Sequence, residues 1–160
     1  GHYQVGDLDT WYDVEEFESL IERARLLPPR DWQTEELWRR AVDLYEGDFL
    51  EGVDREWCQT ERRALWAKHV EALIGLGRCH QARGAYDEAV AWFRRSLEAD
   101  ALREDVHRYI MRCHAEAGRR SRALDQYAQC CEILKAELGV TPSPETMRLF
   151  KQLGGEPSTS

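Results

Sequence analysis

The 160 residues, 42% hydrophobic and 32% charged, suffice for one domain with a genuine core and are too few for two ordinary ones. No stretch approaches the ~18 uninterrupted apolar residues of a membrane span, and GHYQVGDLDT has neither the basic start nor the apolar run of a signal peptide; a soluble, cytoplasmic chain with no membrane partner is expected. The net charge of −8 is uneven, with 16 acidic and 6 basic side chains in residues 1–60 against 12 and 14 in 61–140. No basic stripe stands ready to neutralise phosphates, so direct DNA binding by this chain is not expected.

The first predicted helix has Asp13 as N-cap and Glu16 at the capping-box position, with Val14, Phe17, Ile21 and Ala24 as its apolar stripe. PPR at 28–30 ends it. Thr34 is expected to cap the second helix, whose buried face is Leu37, Ala41, Leu44 and Tyr45 and whose stop is Gly47. The turn GDFLEG at 47–52 leads into a long helical stretch from about Glu56 to Ala82, with Leu65, Val70, Leu73, Leu76 and His80 recurring at helical intervals. Gly75 and Gly77 lie inside it, each costing ~1 kcal/mol relative to alanine, which implies a close helix contact. Helices over about 86–99, 103–117 and 121–138 follow, separated by Gly84 and Gly118 and ended by Gly139; Ser143 and Pro144 start a seventh as N-cap and first helical residue. The class is all-α.

RCHQARG at 78–84 returns thirty-four residues later as RCHAEAG at 112–118. Two Cys-His pairs raise the question of a four-ligand metal site. Adjacent helical residues point ~100° apart, however, and neither pair has the Cys-x2-4-Cys or His-x3-5-His spacing of zinc ligands. The interval is instead that of a tetratricopeptide helix-turn-helix repeat. Gly84 pairs with Gly118, Ala89 with Ala123, Phe93 with Tyr127, and Leu97 with Cys131, while Met111 and Arg120 depart from the pattern opposite Gly77 and Tyr86. On this reading the cysteines and histidines pack. The five cysteines are an odd number without the framework of a secreted domain, which fits reduced thiols. With no phosphate loop or nucleophile elbow, no catalytic set, metal or cofactor is expected, and an enzyme is the least favoured class.

The expected architecture is therefore about seven helices stacked in antiparallel pairs as a right-handed superhelix, the first helix of each pair lining a concave groove. The register aims Glu71, Ile74, Arg78 and Gln81 from one repeat, and Asp105, Arg108 and Arg112 from the next, at that groove. The arginines either receive a partner carboxylate or pair with Glu71, Asp105 or Glu116.

LYEGDFLEG at 44–52, EW at 56–57 with ER at 61–62, DALREDVHRYIM at 100–111 and ALDQYAQCCEILKAELGVTPSPET at 123–146 together closely resemble the bacterial transcriptional activator domain of Streptomyces antibiotic regulatory protein type regulators. The resemblance covers roughly residues 12–153, leaving 1–11 as a linker, the end of a preceding winged-helix domain or a tag, and 154–160 as a disordered tail. It implies a protein-interaction domain for self-association as a homodimer, or for contact with RNA polymerase or other regulator domains. The DNA reader would be a winged helix, and a fragment of a longer regulator is favoured over a stand-alone adaptor. Asp48, Phe49, Leu50, Trp57, His107, Gly139, Pro142 and Pro144 fall on family-like positions and are given structural roles, His107 as a core or capping residue. A generic tetratricopeptide scaffold and a small-molecule sensor using the groove remain as alternatives. Protein purified without chelator is expected to carry no stoichiometric zinc; an equivalent of zinc by elemental analysis would overturn the packing reading of the two Cys-His pairs.

Overall fold

The computed structural model describes residues 5–47 and 58–156, and among these every regular element is an α-helix. In chain order they are α1 (Val5–Arg25), α2 (Trp32–Glu46), α3 (Gln59–Ala82), α4 (Tyr86–Ala99), α5 (Glu104–Glu116), α6 (Arg120–Leu138) and α7 (Pro144–Gln152). Successive helices pack against each other, joined by short turns wherever the connection is described, giving the stacked antiparallel pairs of a repeat fold.

Two helix starts differ from those predicted. The backbone is already helical at Val5, so Asp13 lies inside α1 and is not its N-cap. A side chain caps only where the chain before it leaves the helix, and residues 7–12 contain no proline or glycine to force that. The second helix is capped by Asp31, whose Oδ1 accepts from the Gln33 N–H at 2.9 Å, three residues before the expected Thr34. Thr34 is buried, and its hydroxyl donates to the Pro28 carbonyl at 2.7 Å, tying the turn to the helix. For α3 the cap is Cys58; its backbone N–H donates to the Glu61 carboxylate at 3.2 Å. The expected start near Glu56 and the structural positions Asp48, Phe49, Leu50 and Trp57 lie outside the described residues.

The later boundaries follow the glycines. Gly84 and Gly118 adopt φ of 78° and 76°, with no atom near enough to obstruct a Cβ, so the left-handed backbone itself calls for glycine. At both, the residue after the glycine donates to a carbonyl five residues back, Ala85 to His80 at 2.9 Å and Arg119 to His114 at 2.7 Å, which is the Schellman closure. The repeated histidine and glycine thus frame the same helix ending twice. Gly139 ends α6 at φ 65°, and Ser143 and Pro144 open α7 as N-cap and first residue.

Among the described residues, three core clusters run along the stack. The first joins α1, α2 and α3 around Phe17, Leu20, Ile21, Ala41 and Leu76; the second joins α3, α4 and α5 around Val70, Phe93, Val106 and Ile110. The third, around Met111, Ala123 and Leu149, joins α5, α6 and α7. Helices α3 and α5 each serve two clusters, which makes the stack continuous. Cys79 and Cys113 are buried in the first and second cluster respectively, and burial pushes their thiols up to about 11 and about 12.

The two internal glycines of α3 are notches. A Cβ on Gly75 would stand 2.4 Å from the Trp38 ring of α2, and one on Gly77 would stand 2.5 Å from the Phe93 ring of α4. Helix propensity alone would make Gly75→Ala or Gly77→Ala stabilising by ~1 kcal/mol. Overpacking of ~1–3 kcal/mol or more opposes it, and both replacements are expected to lower the urea midpoint. Stabilisation by either one would show that the notch is not filled.

Candidate interaction groove

The helices enclose a concave groove of about 600 Å³ formed by the end of α1, the start of α2, the middle of α3 and the first turn of α5. Its apolar walls include Ala24, Leu27, Pro29, Trp38 and Ile74; its charged groups are Arg25, Glu71, Arg78, Arg103 and Asp105. Four of these five charges are already paired. Arg25 grips Glu71 with two hydrogen bonds, Nε to Oε2 at 2.7 Å and Nη2 to Oε1 at 2.9 Å, pinning α1 to α3. Arg103 does the same to Asp105, at 3.0 and 2.7 Å. Arg78 is exposed, and its guanidinium carbon lies 5.5 Å from the centroid of the Tyr109 ring. Tyr109 is in turn stacked on Phe93, with centroids 5.1 Å apart and rings 8° from parallel.

Of the residues aimed at the groove from register, Glu71, Ile74, Arg78 and Asp105 line it. Gln81, a turn beyond Arg78 on α3, does not. Arg112 does not either: the wall on α5 consists of Asp105 and Tyr109 with Arg103 just before them, and Arg112 lies about two turns past Asp105, half-buried. Arg108 is engaged elsewhere. Its Nη1 donates to the Thr146 hydroxyl at 2.8 Å and its Nη2 stands 3.4 Å from Glu145, both on α7. Register equivalence therefore conveyed orientation but not the extent of the groove, and Arg108 is held instead by α7.

That docking turns on Glu104, which sequence reasoning did not single out. Its carboxylate accepts the Ser143 N–H at 3.0 Å, the Ser143 hydroxyl at 2.9 Å and the Thr146 hydroxyl at 2.6 Å. Burial opposes its ionisation, but these donors together with Arg108 hold the carboxyl below its ordinary value. The ELGVTPSPET connector is thus fixed by an acid at the start of α5. Pro142 is buried within it. At the far end of the stack, Arg120 donates to the carbonyls of Leu153 and Gly154 at 2.7 and 2.5 Å, so the expected tail begins with bonded residues; 157–160 lie outside the described ones.

The described histidines occupy packed positions. His107 Nδ1 accepts from Gln126 at 2.8 Å while Nε2 donates to the Ala101 carbonyl at 3.0 Å, so both nitrogens of a neutral ring are used. His80 Nδ1 accepts from Arg83 at 2.8 Å; Arg83 also grips Glu35, whose carboxyl it holds below the usual range. His69 lies on Tyr45, centroids 4.2 Å apart and 13° from parallel. Burial lowers the pKa of His69 to about 4, with Arg95 adding to the effect, and it lowers those of His80, His107 and His114 as well. Glu46 stands 3.7 Å from His69, yet Arg95 engages the same carboxylate oxygen, and the neutral ring prevails.

The sequence profile of the family described as the bacterial transcriptional activator domain matches residues 12–153. The chain belongs to that family. It is 32% identical over 118 residues to the regulatory protein AfsR of Streptomyces coelicolor, and 27% identical over 132 residues to the regulatory protein AfsR of Streptomyces griseus. These alignments cover 74% and 82% of this chain but only 12% and 13% of the two relatives. The domain is therefore of a kind found in transcriptional regulators, and no described helix is long and apolar enough to cross a membrane.

Because the folded histidine pKa values lie below the ordinary 6.5, the unfolded chain binds protons that the native domain excludes. Stability is complete above that value and is withdrawn as pH falls; His69 alone withdraws roughly 3 kcal/mol on the way from 6.5 to about 4. Glu35 and Glu104, held low in the fold, add losses only below the ordinary carboxyl value of 4.5. Urea-unfolding free energies are expected to decline already between pH 7 and pH 5, and His69→Phe, which keeps a ring on Tyr45, to flatten the decline. An unchanged slope in that variant would remove His69 from the account.

Proposed function

We propose that the domain is a protein-interaction module of a bacterial transcriptional regulator, acting through self-association or through contact with RNA polymerase or other regulator domains. The observation that carries this reading is the family match across residues 12–153. A stack of helices with a walled concave face suits it, since such repeats bury one continuous core and leave the concave side free for a partner. Glu71, Ile74, Arg78 and Asp105 are the proposed groove contacts. DNA reading is assigned to a winged-helix domain of the kind the family resemblance implies, consistent with the chain's net charge of −8.

The test is a fusion of this domain to a heterologous DNA-binding domain, with its operator placed upstream of a reporter promoter. Transcription above that given by the DNA-binding domain alone is the expected result, together with no saturable binding of the isolated domain to duplex DNA at physiological salt. A silent reporter, or tight and salt-sensitive DNA binding by the domain itself, would overturn the assignment.

A further inference from the structure

We infer that the groove between α1, α2, α3 and α5 receives a short segment of a separate protein that sets one carboxylate on Arg78 and an adjacent apolar side chain against Trp38 and Ile74. The inference rests on the interaction-module reading and names the chemistry of the partner.

Charge complementarity selects the carboxylate. Glu71 and Asp105, the two acids that could have neutralised Arg78 from within the groove, are each held in a two-bond grip by Arg25 and Arg103. Arg78 makes no ion pair with any described residue and is the one unneutralised charge among the described lining residues. The groove therefore offers one surplus positive charge in a chain of net charge −8. A single carboxylate matches it. A polyanion such as a nucleic acid would bring several charges next to Glu71, Asp105 and the acidic remainder of the chain.

Arg78 is also held ready. Its guanidinium rests over Tyr109, which is braced by Phe93, and Phe93 is seated in the Gly77 notch. Stacking on a ring leaves the N–H edge free for a forked bond to a carboxylate and reduces the ordering cost of binding. Beside it the groove is lined by Leu27, Pro29, Ile74 and Trp38, the last seated in the Gly75 notch. An apolar neighbour of the carboxylate would be covered there.

The experiment uses short fluorescein-labelled peptides in a glycine–serine background, carrying aspartate beside leucine, phenylalanine or tryptophan, each with an asparagine twin. Anisotropy should show saturable binding for aspartate peptides and at least about tenfold weaker binding for their twins, and Arg78→Glu should weaken the aspartate peptides by at least about tenfold. Arg94→Glu, the same charge change at an exposed site on α4 outside the groove, should leave binding within about twofold. Thermal melts of the two variants should match the parent. Absence of saturable binding, equal affinity for aspartate and asparagine peptides, or equal weakening by both variants would overturn the proposal. So would an Arg78-dependent dimer in sedimentation, which would give the groove to a second copy. Peptide binding lost while the reporter fusion stays active would remove the groove and leave the module reading standing; a silent fusion with peptide binding intact would do the reverse.

Discussion

The structure depends on how closely α3 is approached from two sides. Gly75 admits the indole of Trp38 and Gly77 admits the ring of Phe93, two residues apart on one helix. With side chains at those positions, α2 and α4 could not both lie at their present distance. Both the first and the second core cluster would be disturbed, because α3 is the helix they share. A backbone entropy cost of ~1 kcal/mol per glycine is offset by burying two large aromatic rings against bare backbone.

The same contacts reach the surface. Phe93, once seated, presents its face to Tyr109, and Tyr109 presents a ring to Arg78. Trp38, once seated, forms part of the groove wall. Core packing and groove chemistry are thus consecutive links in one chain of aromatic contacts. Charged pairs fix the helix ends around it: Arg25 with Glu71, Arg83 with Glu35, and Arg119 with Asp87 at 2.6 Å. Exposed pairs of this kind add little stability one by one. At the groove, the pairs of Arg25 with Glu71 and of Arg103 with Asp105 commit the two acids and leave Arg78 without an ion pair among the described residues.

The far end of the stack is closed by different means. Glu104 gathers Ser143 and Thr146, Arg108 reaches Thr146 and Glu145, and Tyr127 stacks on Phe150 with centroids 3.9 Å apart. A terminal helix must present one face to the core and the other to water, and α7 does so with Thr146 and Leu149 buried and Glu145 and Arg148 exposed. The network recruits Arg108 for this closure, and so the second repeat contributes less to the groove than its register suggests.

Much of the fold was legible in the sequence because it is specified locally. Helical period, the glycines at 84, 118 and 139, Ser143 with Pro144, and the interval between RCHQARG and RCHAEAG each act within a few residues or repeat at a fixed one, and they determined the element order and class. The notches at Gly75 and Gly77 could be suspected from their cost, but not which rings would fill them. The misplaced starts of α1 and α2 arose where several residues could cap and only the path of the preceding chain chooses. Register placed Glu71, Ile74, Arg78 and Asp105 in the groove, but which charges stay free there was decided by tertiary structure. Arg78, Arg108 and Arg112 are alike in type and near-equivalent in register, and what separates them is which acids and helices arrive from elsewhere: Arg25 and Arg103 take the acids near Arg78, whereas α7 takes Arg108. Periodicity determines which way a side chain points, whereas its freedom depends on partners distant in sequence.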